Sequence, residues 1–201
     1  MKNNTTNMPN ASMTNRLATS AVLVALATVL SWYAVFRLPN GGSVTIGSMI
    51  PIMLVSFIYP FGWSLIVALA FSLIQMINLY PPPVATVGNF IIVILLDYVV
   101  AFSVLCLSGP MYKIISKKIN ARVRLMISAI ICLALRFACH FVSGIIIWKT
   151  YASQGQPVWL YSLLYNGSYM LIEAVISGVV LFIAGQKLIE LLLPPQKISN
   201  R

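Results

Sequence analysis

The sequence predicts an all-α integral membrane protein with six transmembrane helices and both termini on the cytoplasmic side. Three observations carry that prediction. First, 60% of the 201 residues are hydrophobic and only 8% are charged, whereas a soluble domain carries about 25% charged residues. Most of the surface therefore faces something other than water. Second, apolar runs close to 20 residues recur along the chain, the length a helix needs to cross about 30 Å of hydrocarbon. No segment alternates in the manner of a barrel strand. Third, the charges are segregated. Lys113, Lys117, Lys118, Arg122 and Arg124 share one loop, Lys2 and Arg16 precede the first apolar run, and Lys187, Lys197 and Arg201 follow the last. Cytoplasmic loops are enriched in Lys and Arg. With the 111–124 loop inside, ten of the 13 Lys/Arg residues are cytoplasmic. An odd number of helices would put one basic terminus on the wrong side. A net charge of +10 in a soluble protein would point to nucleic acid. Placed this way it answers to the anionic headgroups of the lipid bilayer and calls for no nucleic-acid partner.

The chain divides into a cytoplasmic tail at 1–16, a six-helix domain at 17–190 and a second cytoplasmic tail at 191–201. The first helix is expected at 17–37. Its apolar run Leu17 to Phe36 is too long for a signal-peptide core, and no clear cleavage site follows it. The second is expected at 46–59, short and interrupted by Pro51, and Tyr59-Pro60-Phe61-Gly62 links it tightly to a third at 61–80. So short a span tilts or thins the bilayer around it. The remaining helices are expected at 88–109, 122–148 and 158–190. The outer loops are small, stiff or polar: Leu38-Pro39-Asn40-Gly41-Gly42-Ser43, Tyr80-Pro81-Pro82-Pro83, and Tyr151 to Pro157. Trp32, Tyr33, Tyr80, Trp148, Tyr151, Trp159 and Tyr161 gather at that end, either as an interfacial aromatic belt or as walls of a site. No internal repeat of the kind that builds secondary transporters is visible.

Polar groups inside apolar runs are the candidates for function. Of the three acids, Glu190 sits at a helix end, but Asp97 and Glu173 interrupt apolar runs. An intramembrane acid costs about 2.5–3.5 kcal/mol on insertion scales, so it faces a partner or a wet cavity. Arg136, His140, Gly144 and Trp148 repeat every four residues, along one helical face. The helix 5–6 hairpin can bring Trp148 and His140 to Tyr161 and Asn166, and helix 4 can add Asp97 and Tyr98. A carboxylate among aromatic rings suits a planar cation through charge neutralisation and cation–π attraction. His and Asn supply directional hydrogen bonds to the edge of a heterocycle. The competing reading is structural, with Asp97 and Glu173 pairing with Arg136 or His140 to hold helices together. Arg136 and Glu173 are expected to form such a pair, deeper than the site.

Other chemistries are excluded. Cys106, Cys132 and Cys139 form no C-x-x-C or zinc spacing and read as buried hydrophobes, so no metal ligand set is expected. The chain has a single Asp, and Ser143 at i+3 from His140 is a poor nucleophile–base pair, so intramembrane proteolysis is not supported. No G-x-x-x-x-G-K-[ST] phosphate loop occurs.

Four segments resemble a known family: Leu38 to Thr45, Met49-Ile50-Pro51-Ile52, Leu95 to Phe102, and Leu135 to Gly144 continuing through Pro157 to Asn166. Together they resemble the thiamine-specific substrate-binding subunit (S component, ThiT/YuaJ type) of energy-coupling factor transporters. The resemblance covers nearly all of the chain after residue 15. It implies a six-helix S-component fold in a bacterial cell membrane and no enzymatic activity. It implies thiamine or a close relative as bound substrate, without a cofactor, in an outer pocket of helices 4 to 6 and the first outer loop. It implies partners in a membrane coupling protein of the EcfT type and two ATPase subunits. Carried onto this chain, Asp97 falls on the pocket acid that faces the thiazolium. Tyr98, His140, Trp148, Tyr161 and Asn166 fall on the pocket tyrosine, the ligand-contacting histidine, the stacking tryptophan, a tyrosine and an asparagine. Further candidates are Gly42, Ser43, Phe71 and Tyr165. Some members carry Glu at the position of Asp97, and some carry tryptophans where this chain has Gly42 and Phe71. The A-x-x-x-A contact for the coupling protein falls on Ala21 and Ala25, extended by Ala18, since small residues let helices approach closely; ordinary packing within the bundle would use the same residues. A stand-alone proton-coupled transporter of a small cationic heterocycle, with Asp97, Glu173 and His140 relaying protons, is the alternative function, and a membrane enzyme or assembly factor is a third.

Overall fold

The computed structural model describes residues 12–193. Lys2, Lys197 and Arg201, and most of the tails expected at 1–16 and 191–201, lie outside the described residues. Six helices run through the described chain: α1 (Met13–Trp32), α2 (Ile50–Ile58), α3 (Phe61–Gln75), α4 (Val87–Ile114), α5 (Ala121–Ile146) and α6 (Val158–Leu192). Five are long and apolar enough to cross a membrane: α1, α3 with its extension to Asn78, α4, α5 and α6.

The exception is α2. Its nine residues rise only about 14 Å, short of the hydrocarbon thickness, and every one of them is buried. A helix that is apolar on all sides belongs inside a bundle. Here α2 is enclosed by α1, α3, α6 and the second half of α4. Pro51 does not interrupt this helix, as the sequence had implied. It occupies the first turn, where its missing N–H has no partner to lose. The tight Pro60 link holds: Ser64 N–H donates to the Pro60 carbonyl at 3.1 Å, and α3 begins at Phe61.

The first helix lies earlier in the chain than the expected 17–37, starting at Met13 inside the expected tail. It ends at Trp32, and the chain then turns into a two-residue hairpin, β1 (Phe36–Arg37) against β2 (Ser43–Val44), antiparallel with Arg37 opposite Ser43. Asn40 (φ 68°) and Gly41 (φ 94°) turn the hairpin through left-handed backbone, which Asn and Gly tolerate best. Helix α3 stops at Gln75 with one 3₁₀ turn to Asn78, ahead of the expected residue 80. Helix α4 extends five residues past its expected end and is irregular: it opens into a π-helical turn over Ile94–Val100 and tightens to 3₁₀ over Val104–Leu107. Helix α5 ends at Ile146, so Trp148 stands on a separate 3₁₀ turn, Trp148–Tyr151, and not on the helix.

The most extensive contact between elements is the antiparallel pairing of α5 with α6. Gly144 makes it possible: a Cβ there would collide with the Ser162 hydroxyl and come within 2.9 Å of Asn166 Nδ2. Outward faces of the long helices carry exposed Val22, Val29, Ile66, Leu73, Ile91, Leu135, Leu171 and Ile183, a surface matched to lipid rather than to water.

Candidate functional site

At the end of the bundle opposite the Lys113–Arg124 loop lies a cavity of about 520 Å³, within the 300–1,000 Å³ range of small-molecule sites. The hairpin, Tyr80, the π-turn of α4, the last turns of α5, the Trp148 turn and the first turns of α6 line it. Irregular backbone places the acid. Asp97 lies in the middle of the π-turn, a widened turn that recurs at functional sites.

The Asp97 carboxylate is gripped by three donors. Its Oδ1 lies 2.9 Å from His140 Nδ1; its Oδ2 accepts from the Ser143 hydroxyl at 2.6 Å and from the Trp148 indole N–H at 3.1 Å. The expected approach of Asp97, His140 and Trp148 is therefore found, together with Ser143, which sequence reasoning weighed only as a nucleophile. Ser143 faces Asp97 and not His140. His140 lines the cavity, and its Nε2 is buried without a partner among the described residues. Trp148 has Tyr80 on one side, ring centroids 5.8 Å apart, and stacks on Tyr151 at 6.2 Å and 13°.

Tyr98, Tyr161 and Asn166 also line the cavity. The Tyr98 hydroxyl accepts from the Tyr80 backbone N–H at 3.1 Å. Asn166 is engaged at both ends. Its Nδ2 donates to the His140 carbonyl and to Ser162, each at 3.1 Å, and its Oδ1 accepts from the Tyr169 hydroxyl at 2.8 Å. It thus fixes the backbone of His140 instead of holding a free hydrogen-bonding edge toward the cavity. Among the further candidates, Gly42, Ser43 and Tyr165 line the cavity, and Tyr165 latches the hairpin. Its hydroxyl donates to the Pro39 carbonyl and accepts from the Gly42 N–H at 2.9 Å. A Cβ on Gly42 would meet Tyr169 at 2.9 Å and the Tyr165 hydroxyl at 3.0 Å. Phe71 does not reach the cavity. It is fully buried behind Phe102, edge to face at 5.0 Å. Ala18, Ala21 and Ala25 lie exposed along α1, while the buried face of the same helix carries Ser20, Leu23 and Ala27.

The expected Arg136–Glu173 ion pair is absent among the described residues. Arg136 sits with Cζ 3.8 Å from the centroid of Phe102, and Glu173 Oε1 accepts from the backbone N–H and the hydroxyl of Thr45, the latter at 2.6 Å. Nor are the two deeper than the site, since both line the cavity. Tyr169 and Thr45 also line the cavity and were not among the expected site residues. Tyr169 continues a stripe from Tyr161 and Tyr165 at four-residue spacing, with rings stacked at 5.7 Å and then edge to face at 6.0 Å; that spacing was the available signal. Thr45 had none, because its partner is 128 residues away. An aromatic cavity with a braced carboxylate is equipped to hold a planar cation.

The family described as thiamine transporter protein (Thia_YuaJ) matches residues 17–193. A thiamine transporter, ThiT, of Bacillus subtilis strain 168 is 33% identical over 178 residues, spanning 83% of this chain and 88% of the relative. A ThiT of Lacticaseibacillus paracasei is 30% identical over 102 residues, 46% of this chain and 51% of the relative. Among solved structures, ThiT from Listeria monocytogenes superposes with a TM-score of 0.70 at 24% identity, covering 89% of this chain and 97% of that one. The S component of a bacterial ECF transporter superposes with a TM-score of 0.59 at 18% identity, covering 90% and 99%.

Proposed function

The chain belongs to the Thia_YuaJ family of thiamine transporter proteins, and from that premise we propose that it is the substrate-binding S component of an ATP-driven energy-coupling factor importer in a bacterial cell membrane. It takes thiamine from the outer side. Both termini are cytoplasmic and the basic Lys113–Arg124 loop faces the cytoplasm. The observation that carries the reading is the Asp97 carboxylate, braced by His140, Ser143 and Trp148 at the wall of an aromatic cavity. Thiamine is a planar thiazolium cation joined to an aminopyrimidine. Asp97 neutralises the cation, and Trp148 with Tyr98 and Tyr161 supplies ring faces. His140 Nε2 hydrogen-bonds the pyrimidine edge. Gly42, Ser43 and Tyr165 form the roof through which ligand enters. Asn166 keeps His140 in register, and Phe71 backs the Phe102 wall.

No phosphate-binding motif is present in the sequence, so the energy comes from partners: a membrane coupling protein of the EcfT type and two ATPases. The exposed Ala18, Ala21 and Ala25 face of α1 is the docking surface, because small side chains permit close helix approach. Reconstituted vesicles test this reading. Thiamine uptake that requires both the coupling module and ATP supports it. Uptake by vesicles holding this chain alone, driven by a proton gradient, would replace it with a stand-alone proton-coupled transporter.

A further inference from the structure

The cavity holds two buried charges that the thiamine reading leaves unused. Arg136 of α5 is 8% exposed, Glu173 of α6 is 0% exposed, and both line the cavity. Each is half engaged. With its guanidinium laid on the Phe102 ring, Arg136 leaves Nε and Nη1 without a hydrogen-bond partner among the described residues. Glu173 commits Oε1 to Thr45, whose hydroxyl is itself 2.8 Å from that of Ser48, and leaves Oε2 without a partner. The antiparallel register of α5 and α6 brings Gly144 against Asn166 and Gly178 against Ile130. That register sets Arg136 level with Glu173, although no ion pair joins them among the described residues.

Buried donors and acceptors in native proteins find partners. Here the unpartnered donors and the unpartnered acceptor are buried atoms of two residues that line one cavity. An anion drawn to Arg136 would meet the Glu173 carboxylate, and a cation drawn to Glu173 would meet the guanidinium. A neutral group that both accepts and donates satisfies the two together, and an alcohol does so with one oxygen.

We propose that Arg136 and Glu173 form a second subsite of the same pocket that takes the ligand's hydroxyl group. The alcohol oxygen accepts from Arg136, and its O–H donates to Glu173 Oε2. The inference rests on the thiamine reading, since thiamine carries a single alcohol, on its hydroxyethyl arm. It adds a specificity: the free alcohol is preferred to its phosphate esters, whose negative charge would be held against a fully buried carboxylate.

The test is a titration of the purified full chain in detergent with thiamine and with its deoxy analogue, in which ethyl replaces hydroxyethyl. Hydrogen bonds to charged groups predict that the wild type binds thiamine about 10- to 100-fold more tightly than the analogue. Glu173→Gln keeps an oxygen for Thr45 and loses the acceptor for the alcohol, so the preference falls to within about threefold. Should that variant fail to fold, Arg136→Gln, whose flat amide can remain on Phe102, carries the same comparison. Equal wild-type affinities for thiamine and the analogue overturn the subsite and leave the thiamine reading standing, as does a full preference retained in the variant. Binding of neither ligand overturns both.

Discussion

Replacing Asp97 with Asn separates its two roles, charge and bracing. The carboxylate accepts from His140 at 2.9 Å, Ser143 at 2.6 Å and Trp148 at 3.1 Å. Asparagine presents one acceptor oxygen and one amide nitrogen. With that nitrogen toward Trp148, whose N–H can only donate, the indole keeps only its second acceptor, the Ser143 hydroxyl at 3.1 Å; with the amide nitrogen toward His140, the imidazole must take its other tautomer. Either way charge-assisted bonds become neutral ones, at a cost of about 1.5–3 kcal/mol. That loss loosens the wall and weakens any ligand. The charge loss acts on a cation alone. A carboxylate about 4–5 Å from a positive centre, at an effective dielectric near 20, is worth about 3–4 kcal/mol before screening. Binding is followed by calorimetry with thiamine and with a neutral analogue in which carbon replaces the thiazolium nitrogen. Thiamine is expected to lose about 100-fold more affinity than the analogue. Losses equal within about threefold would refute the reasoning and leave Asp97 as a brace for His140 and Trp148.

Three further substitutions report on other parts of the account. Tyr165→Phe removes the donor to Pro39 and the acceptor for Gly42; at about 1 kcal/mol per bond, the hairpin opens more readily, thiamine should dissociate about tenfold faster in stopped-flow, and the unfolding temperature should fall. Gly144→Ala forces a methyl group against Ser162 and Asn166 and should cost about 1–3 kcal/mol of overpacking, read as a lower unfolding temperature in detergent. Ala21→Trp and Ala25→Trp stand on the exposed face of α1; both should bind thiamine as the wild type does and abolish ATP-dependent uptake with the coupling module.

The long helices and the approach of Asp97 to His140 were legible in the sequence, because a helix in an apolar run advertises its polar residues by contrast; Trp148 joins them from a 3₁₀ turn and not by the four-residue spacing that had placed it on α5. The features that were not legible have physical causes. The π-turn at Ile94–Val100 lies in a run apolar on nearly every side, so no change of period marks it. The hairpin at Phe36–Val44 has strands of two residues each, too short for any alternation to be visible. The depth of α2 depends on what surrounds it: eight apolar residues and Ser56 read alike whether they face lipid or α6. Arg136 and Glu173 were matched by charge and level, but Phe102 and Thr45 outcompete that pairing. Partners so distant in sequence leave no local trace. The same limit applies to Asn166, whose side chain is consumed by His140, Ser162 and Tyr169.

The central claim is that this chain binds thiamine by itself, without catalysis and without its partners. Titration of the purified, detergent-solubilised protein with thiamine, followed by tryptophan fluorescence, tests it most directly, because Trp148 lies at the site. The account predicts saturable quenching with a dissociation constant well below about 10 µM, a binding free energy beyond about −7 kcal/mol, and loss of most of that quenching in Trp148→Phe. The absence of saturable binding below about 10 µM would contradict it.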